Sequence, residues 1–359
     1  LKKYVELNPS KSELKNMEDG MGVSFVEMSS VSENGYISLK EERSYKDVKG
    51  SYTYFADNDL IFAKITPCME NGKCAIATGL SNGIGFGSSE FHVFRCQNDV
   101  LNSYLFALLN TDEVRWYAKK NMKGSSGHRR VPEEFYASLE IPLPPMDVQK
   151  KIAEECEKID MQMQQNKRHI RKMKEQAVLL FEQSLQKETT EVRLSQICDM
   201  RAGKFVPASE IVDKPMGKYI YPCYGGNGLR GFTDTMTNEG EYILIGRQGA
   251  LCGNVCVASG QFHATEHAVV VYPNAEVDEK WLRYLLVHMD LNQYSTGRAQ
   301  PGLSVQKILN VKANIPIDKN IQSQTAERIL TIENEIAKLQ YFVDSCPSAK
   351  QAILDKYLK

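Results

Sequence analysis

Two stretches of this chain carry apolar or small residues at alternating steps of four and three. The first runs through Ile152, Cys156, Ile159, Met163, Asn166, Ile170, Met173, Ala177, Leu180 and Ser184. The second runs through Thr325, Ile329, Ile332, Ile336, Leu339, Val343, Cys346, Lys350, Ile353 and Tyr357. Such a heptad stripe predicts a long helix with a coiled-coil seam. Pro145 suits the first turn of the first helix, where a missing N–H costs nothing. Pro347 falls inside the second stripe and predicts a kink or break there. Between the helices the pattern changes. Leu60–Ile65, Phe86–Phe94, Tyr219–Phe232 and Glu241–Tyr272 are short runs rich in Val, Ile, Tyr and Gly, which read as strands and turns. Each such region then carries one amphipathic helix, near Ser103–Lys120 and near Glu279–Leu291.

The chain also repeats itself. Val131–Pro142 (VPEEFYASLEIP) and Val305–Pro316 (VQKILNVKANIP) share Val131/Val305, Ile141/Ile315 and Pro142/Pro316, and Tyr104-Leu105 sits as Trp281-Leu282 does. The repeating unit is about half the chain, which predicts a duplicated pair of domains rather than a solenoid. Two long helices at equivalent places in two repeats pack most simply on each other. They serve either as plain glue between domains or as a spacer that holds them a set distance apart.

Composition sets bounds. The 359 residues carry 44 Lys+Arg against 45 Asp+Glu, a net charge of −1, which argues against coating nucleic acid through bulk positive charge. Nine scattered cysteines fit reduced thiols, Leu1–Ser10 has no secretory core, and no apolar run approaches the roughly 20 residues of a membrane span, so a cytoplasmic protein is expected. The charge is uneven within this balance. Arg115–Arg130 holds Arg115, Lys119, Lys120, Lys123, Arg129 and Arg130 with His128 and no acid. The equivalent stretch, Asn292–Lys312, holds Arg298, Lys307 and Lys312, again without an acid. Both contain polar loops, with Lys, Ser, His and Arg in the first and Ser, Thr, Arg and Gln in the second, residues that hold phosphates and fork onto base edges.

Two motifs invite catalytic readings. Gly226–Gly231 satisfies G-x-G-x-x-G, but FTDTMTNEGE follows instead of the helix a dinucleotide site needs. His263-Ala-Thr-Glu266-His267 satisfies H-x-x-E-H, yet a strand pattern follows, and in one strand the two histidines would stand about 13 Å apart. Cys252 and Cys256 lie just upstream, six residues short of His263, which is tighter than zinc-finger spacing. No phosphate loop, no Asp/Asn-Pro-Pro-Tyr/Phe tetrad of an amino-methyltransferase and no G-x-S-x-G is present. A binding role is therefore expected, with no catalytic and no metal site.

Several stretches together resemble the specificity subunit of a type I restriction–modification system. Ile141-Pro-Leu-Pro-Pro145-Met-Asp-Val-Gln149-Lys-Lys-Ile-Ala153 is similar to that family's approach to its conserved helix, and Ile315-Pro-Ile-Asp-Lys-Asn-Ile-Gln322 is a weaker second copy without the double proline. Pro222–Gly231, Ile243–Gly249, Gly253-Asn254-Val255 and His263–His267 resemble successive parts of a target recognition domain; Asp59–Thr66 and Ser88-Ser-Glu90-Phe look like a divergent one.

The resemblance implies an α+β fold. Two α/β target recognition domains (1–144 and 188–318) are separated by two long antiparallel coiled-coil helices (145–187 central, 319–359 C-terminal) in a pseudo-two-fold repeat. It implies a non-catalytic subunit that reads a bipartite, asymmetric site on double-stranded DNA, with half-site centres ~34 Å apart if they lie one helical turn apart. The implied partners are two methyltransferase subunits using S-adenosylmethionine on adenine N6 and, where the system also restricts, restriction subunits using ATP and Mg. The chain itself would hold no cofactor. Loop position nominates Lys64, Thr66, Lys73, Ser88, Ser89, Lys123, Ser125, His128, Arg129 and Arg130 for DNA contact in the first domain. In the second it nominates Tyr224, Asn227, Arg230, Arg247, Gln248, His263, Thr265, His267, Arg298 and Gln300. The rivals are a coiled-coil scaffold without DNA readout and a zinc enzyme using Cys252–His267.

Overall fold

The structure is a computed structural model and describes residues 1–359 except 34, 126, 250, 298–300 and 359. The chain forms two compact units, residues 1–169 with 339–359, and residues 170–338. Each unit therefore holds part of both long helices and is described by itself.

In the first unit the strands are Val5–Leu7 (β1), Gly22–Val26 (β2), Glu41–Ser44 (β3), Thr53–Ala56 (β4), Leu60–Ala63 (β5), Cys74–Ile76 (β6), Ile84–Gly87 (β7) and Phe91–Cys96 (β8). They make two four-stranded sheets, ordered β1-β8-β5-β6 and β3-β2-β7-β4. Strand β5 is buried along its whole length, as a continuous apolar run predicts for an inner strand. Tyr45–Val48 (α1) follows β3. The helix expected over Ser103–Lys120 is two, Asn102–Leu109 (α2) and Asp112–Lys120 (α3). Thr111 makes the break: its hydroxyl accepts the Val114 N–H and restarts the helix. Glu133–Ser138 (α4) leads to Met146–Leu185 (α5), a 40-residue helix. Pro145 sits one place ahead of it, its carbonyl accepting from the Val148 and Gln149 N–H groups.

In the second unit the strands are Thr189–Arg193 (β9), Cys198–Ala202 (β10), Tyr221–Gly225 (β11), Gly228–Thr233 (β12), Asn238–Gly246 (β13), Val255–Ala264 (β14), Ala268–Pro273 (β15) and Lys312–Pro316 (β16). A six-stranded sheet runs β10-β15-β13-β14-β11-β12, and β16 pairs with β9. Leu194–Ile197 (α6), Glu279–His288 (α7) and Val305–Leu309 (α8) cover it, and Lys319–Leu358 (α9) is again 40 residues long. Asp278 caps α7 by accepting the Trp281 N–H.

The heptad residues of α5 and α9 are all buried or half-buried, while most positions between them are exposed. Within the first unit the start of α5 meets the end of α9 in antiparallel sense. Ile152, Cys156 and Leu354 share one core, and Lys350 and Lys356 pair with Asp160 and Glu155. In the second unit Phe181, Ala326 and Ile329 join the core beneath α7. Pro347 does not break α9, contrary to expectation: the helix is continuous through it. Val343, Cys346 and Leu354, buried on either side, hold it to its seam despite the lost N–H. All nine cysteines are free thiols. Among the described residues no helix is long and apolar enough to cross a membrane.

Candidate nucleic-acid interface

In the first unit, the basic loop after α3 folds back on itself. Lys123 and Arg130 exchange backbone hydrogen bonds, closing a small hairpin, and Arg130 bridges to Ile65 beyond the end of β5. The Thr66 N–H donates to the Arg129 carbonyl at 3.0 Å, and the Lys64 N–H donates to the Glu90 carbonyl at 2.9 Å. Lys64, Thr66, Ser88, Lys123, Arg129 and Arg130 are thereby gathered from three separate stretches.

Their side chains divide into two kinds. Lys123, Ser125, His128 and Ser89 are exposed. Arg130 is half-exposed and forks onto both oxygens of Glu90 at 2.6 to 3.1 Å. The bonded guanidinium holds the Glu90 carboxyl below the usual carboxylate range. The others are engaged inward. Arg129 donates to the Lys119 and Met122 carbonyls at the end of α3, and the Thr66 hydroxyl points to the Met122 sulfur. Ser88 accepts the Glu90 N–H, and Lys73 is tied to the Met28 carbonyl at 3.0 Å, away from the hairpin. The acid-free run is also less bare than it reads, since Lys119 pairs with Glu70 and Arg115 with Asp112.

The second unit repeats this construction. Thr296 and Gly302 exchange backbone hydrogen bonds, and Gly302 bridges to Gln248 beyond the end of β13. The Gly249 N–H donates to the Pro301 carbonyl and the Leu303 N–H to the Arg247 carbonyl. Arg298 and Gln300, nominated from the sequence, lie outside the described residues. Beside this base lies a cleft of about 550 Å³ lined by the Gly225–Arg230 turn with Gln248, Gly249, Leu251 and His267. The G-x-G-x-x-G run builds the wall: Gly226 and Asn227 form the turn between β11 and β12. A Cβ on Gly226 would stand 3.0 Å from the Gln248 carbonyl oxygen, so glycine is what lets the two backbones approach.

Asn227, Arg230 and Gln248 are exposed in or beside the cleft, and Tyr224 packs edge-on against Phe262 behind it. Arg247 reaches the Leu303 carbonyl with its Nε. The two histidines of H-x-x-E-H do not share a strand, which corrects the sequence expectation: His263 is in β14 and His267 lies in the turn before β15. His263 is buried, with its ring nitrogens 3.0 Å from the Thr235 hydroxyl and the Lys204 carbonyl. Thr265 is fully buried and its hydroxyl accepts from the His267 N–H. Both side chains serve the turn. His267 lines the cleft beside Glu266 at 3.1 Å, and its Nδ1 and the Glu266 Oε2 are buried without a hydrogen-bond partner among the described residues. The Cys252 thiol rests against the Arg247 carbonyl, and among the described residues no group of three or more His, Cys, Asp or Glu converges as a metal site would.

Three neighbours of the interface escaped sequence reasoning. Glu90 restrains Arg130, and its signal was only its adjacency to the Ser88-Ser89 turn. Leu229 and Leu251, 55% and 52% exposed, flank the cleft, where apolar side chains can meet a thymine methyl. An exposed leucine has no sequence signature of its own.

Comparison with known proteins adds the lineage. The sequence pattern described as "Type I restriction modification DNA specificity domain" matches residues 6–174 and 186–340. The Escherichia coli type I restriction enzyme EcoprrI specificity subunit is 42% identical over 164 residues, 45% of this chain and 41% of that protein. The E. coli EcoAI specificity subunit is 39% identical over 154 residues, 42% of this chain and 26% of that protein. The matched region thus spans less than half the length of these relatives. A crystal structure of the type I restriction–modification system S subunit from M. genitalium superposes with a TM-score of 0.62 at 15% identity, covering 100% of this chain and 94% of that one, a likeness of fold. With the family pattern matched twice over most of its length, the chain belongs to the type I restriction–modification DNA specificity family.

Proposed function

We propose that the chain is the non-catalytic DNA reader of a type I restriction–modification complex. One observation carries the reading: in both units a polar loop closes at its base and bridges to the segment leaving a central strand, Arg130 to Ile65 and Gly302 to Gln248. Equivalent loops with different residues suit two recognition surfaces for two different half-sites. The first surface is Lys123, Ser125, His128 and Arg130 with Lys64 and Ser89. The second is Asn227, Arg230, Arg247, Gln248 and His267, to which the sequence adds Arg298 and Gln300. Arg and Gln can fork onto guanine and adenine, while Lys, Ser, backbone N–H groups and an arginine such as Arg130 hold phosphates.

In this reading the long helices space the two surfaces and carry two methyltransferase subunits. Those subunits supply S-adenosylmethionine and methylate an adenine flipped from the duplex. Where the system also restricts, restriction subunits using ATP and Mg complete a cleaving complex. Footprinting of the chain with its methyltransferase partner tests this: two protected half-sites are expected, whereas a pure scaffold protects no sequence at all.

A further inference from the structure

The repeat is matched by a buried polar contact at the foot of each long helix. Gln149 and Gln322 stand in the first turns of α5 and α9, and each is only 1% exposed, rare for glutamine. The Gln149 Oε1 accepts the N–H of Leu101, the N-cap of α2, at 2.9 Å. Its Nε2 donates to the Asp99 and Pro144 carbonyls at 2.9 and 3.0 Å. The Gln322 Oε1 accepts the N–H of Asp278, the N-cap of α7, at 2.8 Å, and its Nε2 donates to the Pro316 carbonyl at 2.9 Å. In both units one amide joins three things: the helix start, the proline segment before it, and the N-cap residue of the recognition domain's own helix. Hydrophobic contacts alone would let two packed surfaces slide. A planar amide satisfied on both sides fixes their angle.

We propose that Gln149 and Gln322 are positioning residues that lock each recognition domain to its long helix and so set how strictly the complex measures the gap between half-sites. This rests on the DNA-reading proposal. One base pair more or less turns a half-site by roughly 35° about the duplex axis. A clamped domain cannot follow that rotation, and a loosened one can.

The test uses the complex with its methyltransferase subunits on duplexes whose gap is the native length, one pair shorter or one pair longer. Gln149→Ala is expected to lower the preference for the native gap by roughly fivefold, the worth of about one net buried hydrogen bond. Gln149→Glu keeps the acceptor and loses both N–H donors, so it is expected to behave like alanine. Ile152→Val, buried one turn along the same helix, costs stability without touching the clamp and is expected to keep the native preference. If Gln149→Ala and Ile152→Val give the same gap profile, the clamp has no positioning role. Amide hydrogen exchange at Leu101 reads the clamp in the chain itself: it should quicken in Gln149→Ala and not in Ile152→Val, and equal protection in both overturns the proposal. If the unaltered complex methylates without regard to gap, the clamp proposal falls; if it methylates without regard to the half-site sequences, the DNA-reading proposal falls as well.

Discussion

Arg129 and Arg130 are adjacent and identical in type, yet the fold gives them different work. Arg129 spends its guanidinium on the carbonyls at the end of α3, while Arg130 reaches across the hairpin to Glu90 and stays half-exposed. An exposed ion pair of this kind is weak and exchanges readily for a phosphate. Arg130→Ala should therefore weaken binding of the complex to all sequences alike and lower the slope of log K against log salt by about 0.9, one phosphate contact. An unchanged slope in a salt titration removes Arg130 from the interface. Glu90→Gln, which releases Arg130, should not lower that slope. Sequence exposed the charge of this loop but not its partners. It could not separate His263 and Thr265, turned inward at the β14–β15 turn, from His267, which lines the cleft, because three polar residues within five positions look alike until the turn is known.

The long helices were the most legible elements, because a 3.5-residue period sustained over ten positions arises from little else than a helical seam. The strands were legible as apolar runs, but their pairing was not, since β2 and β7 meet across some sixty residues of chain. The single helix expected over Ser103–Lys120 failed at Thr111, whose hydroxyl is equally at home on a helix surface and at an N-cap. Pro347 failed for the opposite reason: local preference lost to the buried stripe around it. The penalty should still be present in the folded state. Pro347→Ala is expected to stabilise the chain by about 1–3 kcal/mol in urea unfolding. A loss of stability would mean that the proline fits a bend the seam requires.

Over the whole molecule the balance of 44 basic and 45 acidic residues keeps its meaning, and the pairing of Arg115, Lys119 and Arg130 with carboxylates extends it to the basic stretch of the first unit. A net charge of −1 leaves no bulk positive field for non-specific binding, so the isolated chain is expected to hold DNA weakly. Under the proposed function, tight binding is expected only of a complex whose partner subunits add phosphate contacts. The duplication was visible in a few matched residues, such as Val131/Val305 and Pro142/Pro316. What it builds became visible only as matched bridges, Ile65 with Arg130 and Gln248 with Gly302. The most direct measurement is a map of methylated adenines in DNA from cells that express this chain with its methyltransferase subunit. Two different half-sites separated by a gap of fixed length are predicted, and methylation within a continuous motif, or none attributable to the chain, would contradict the account.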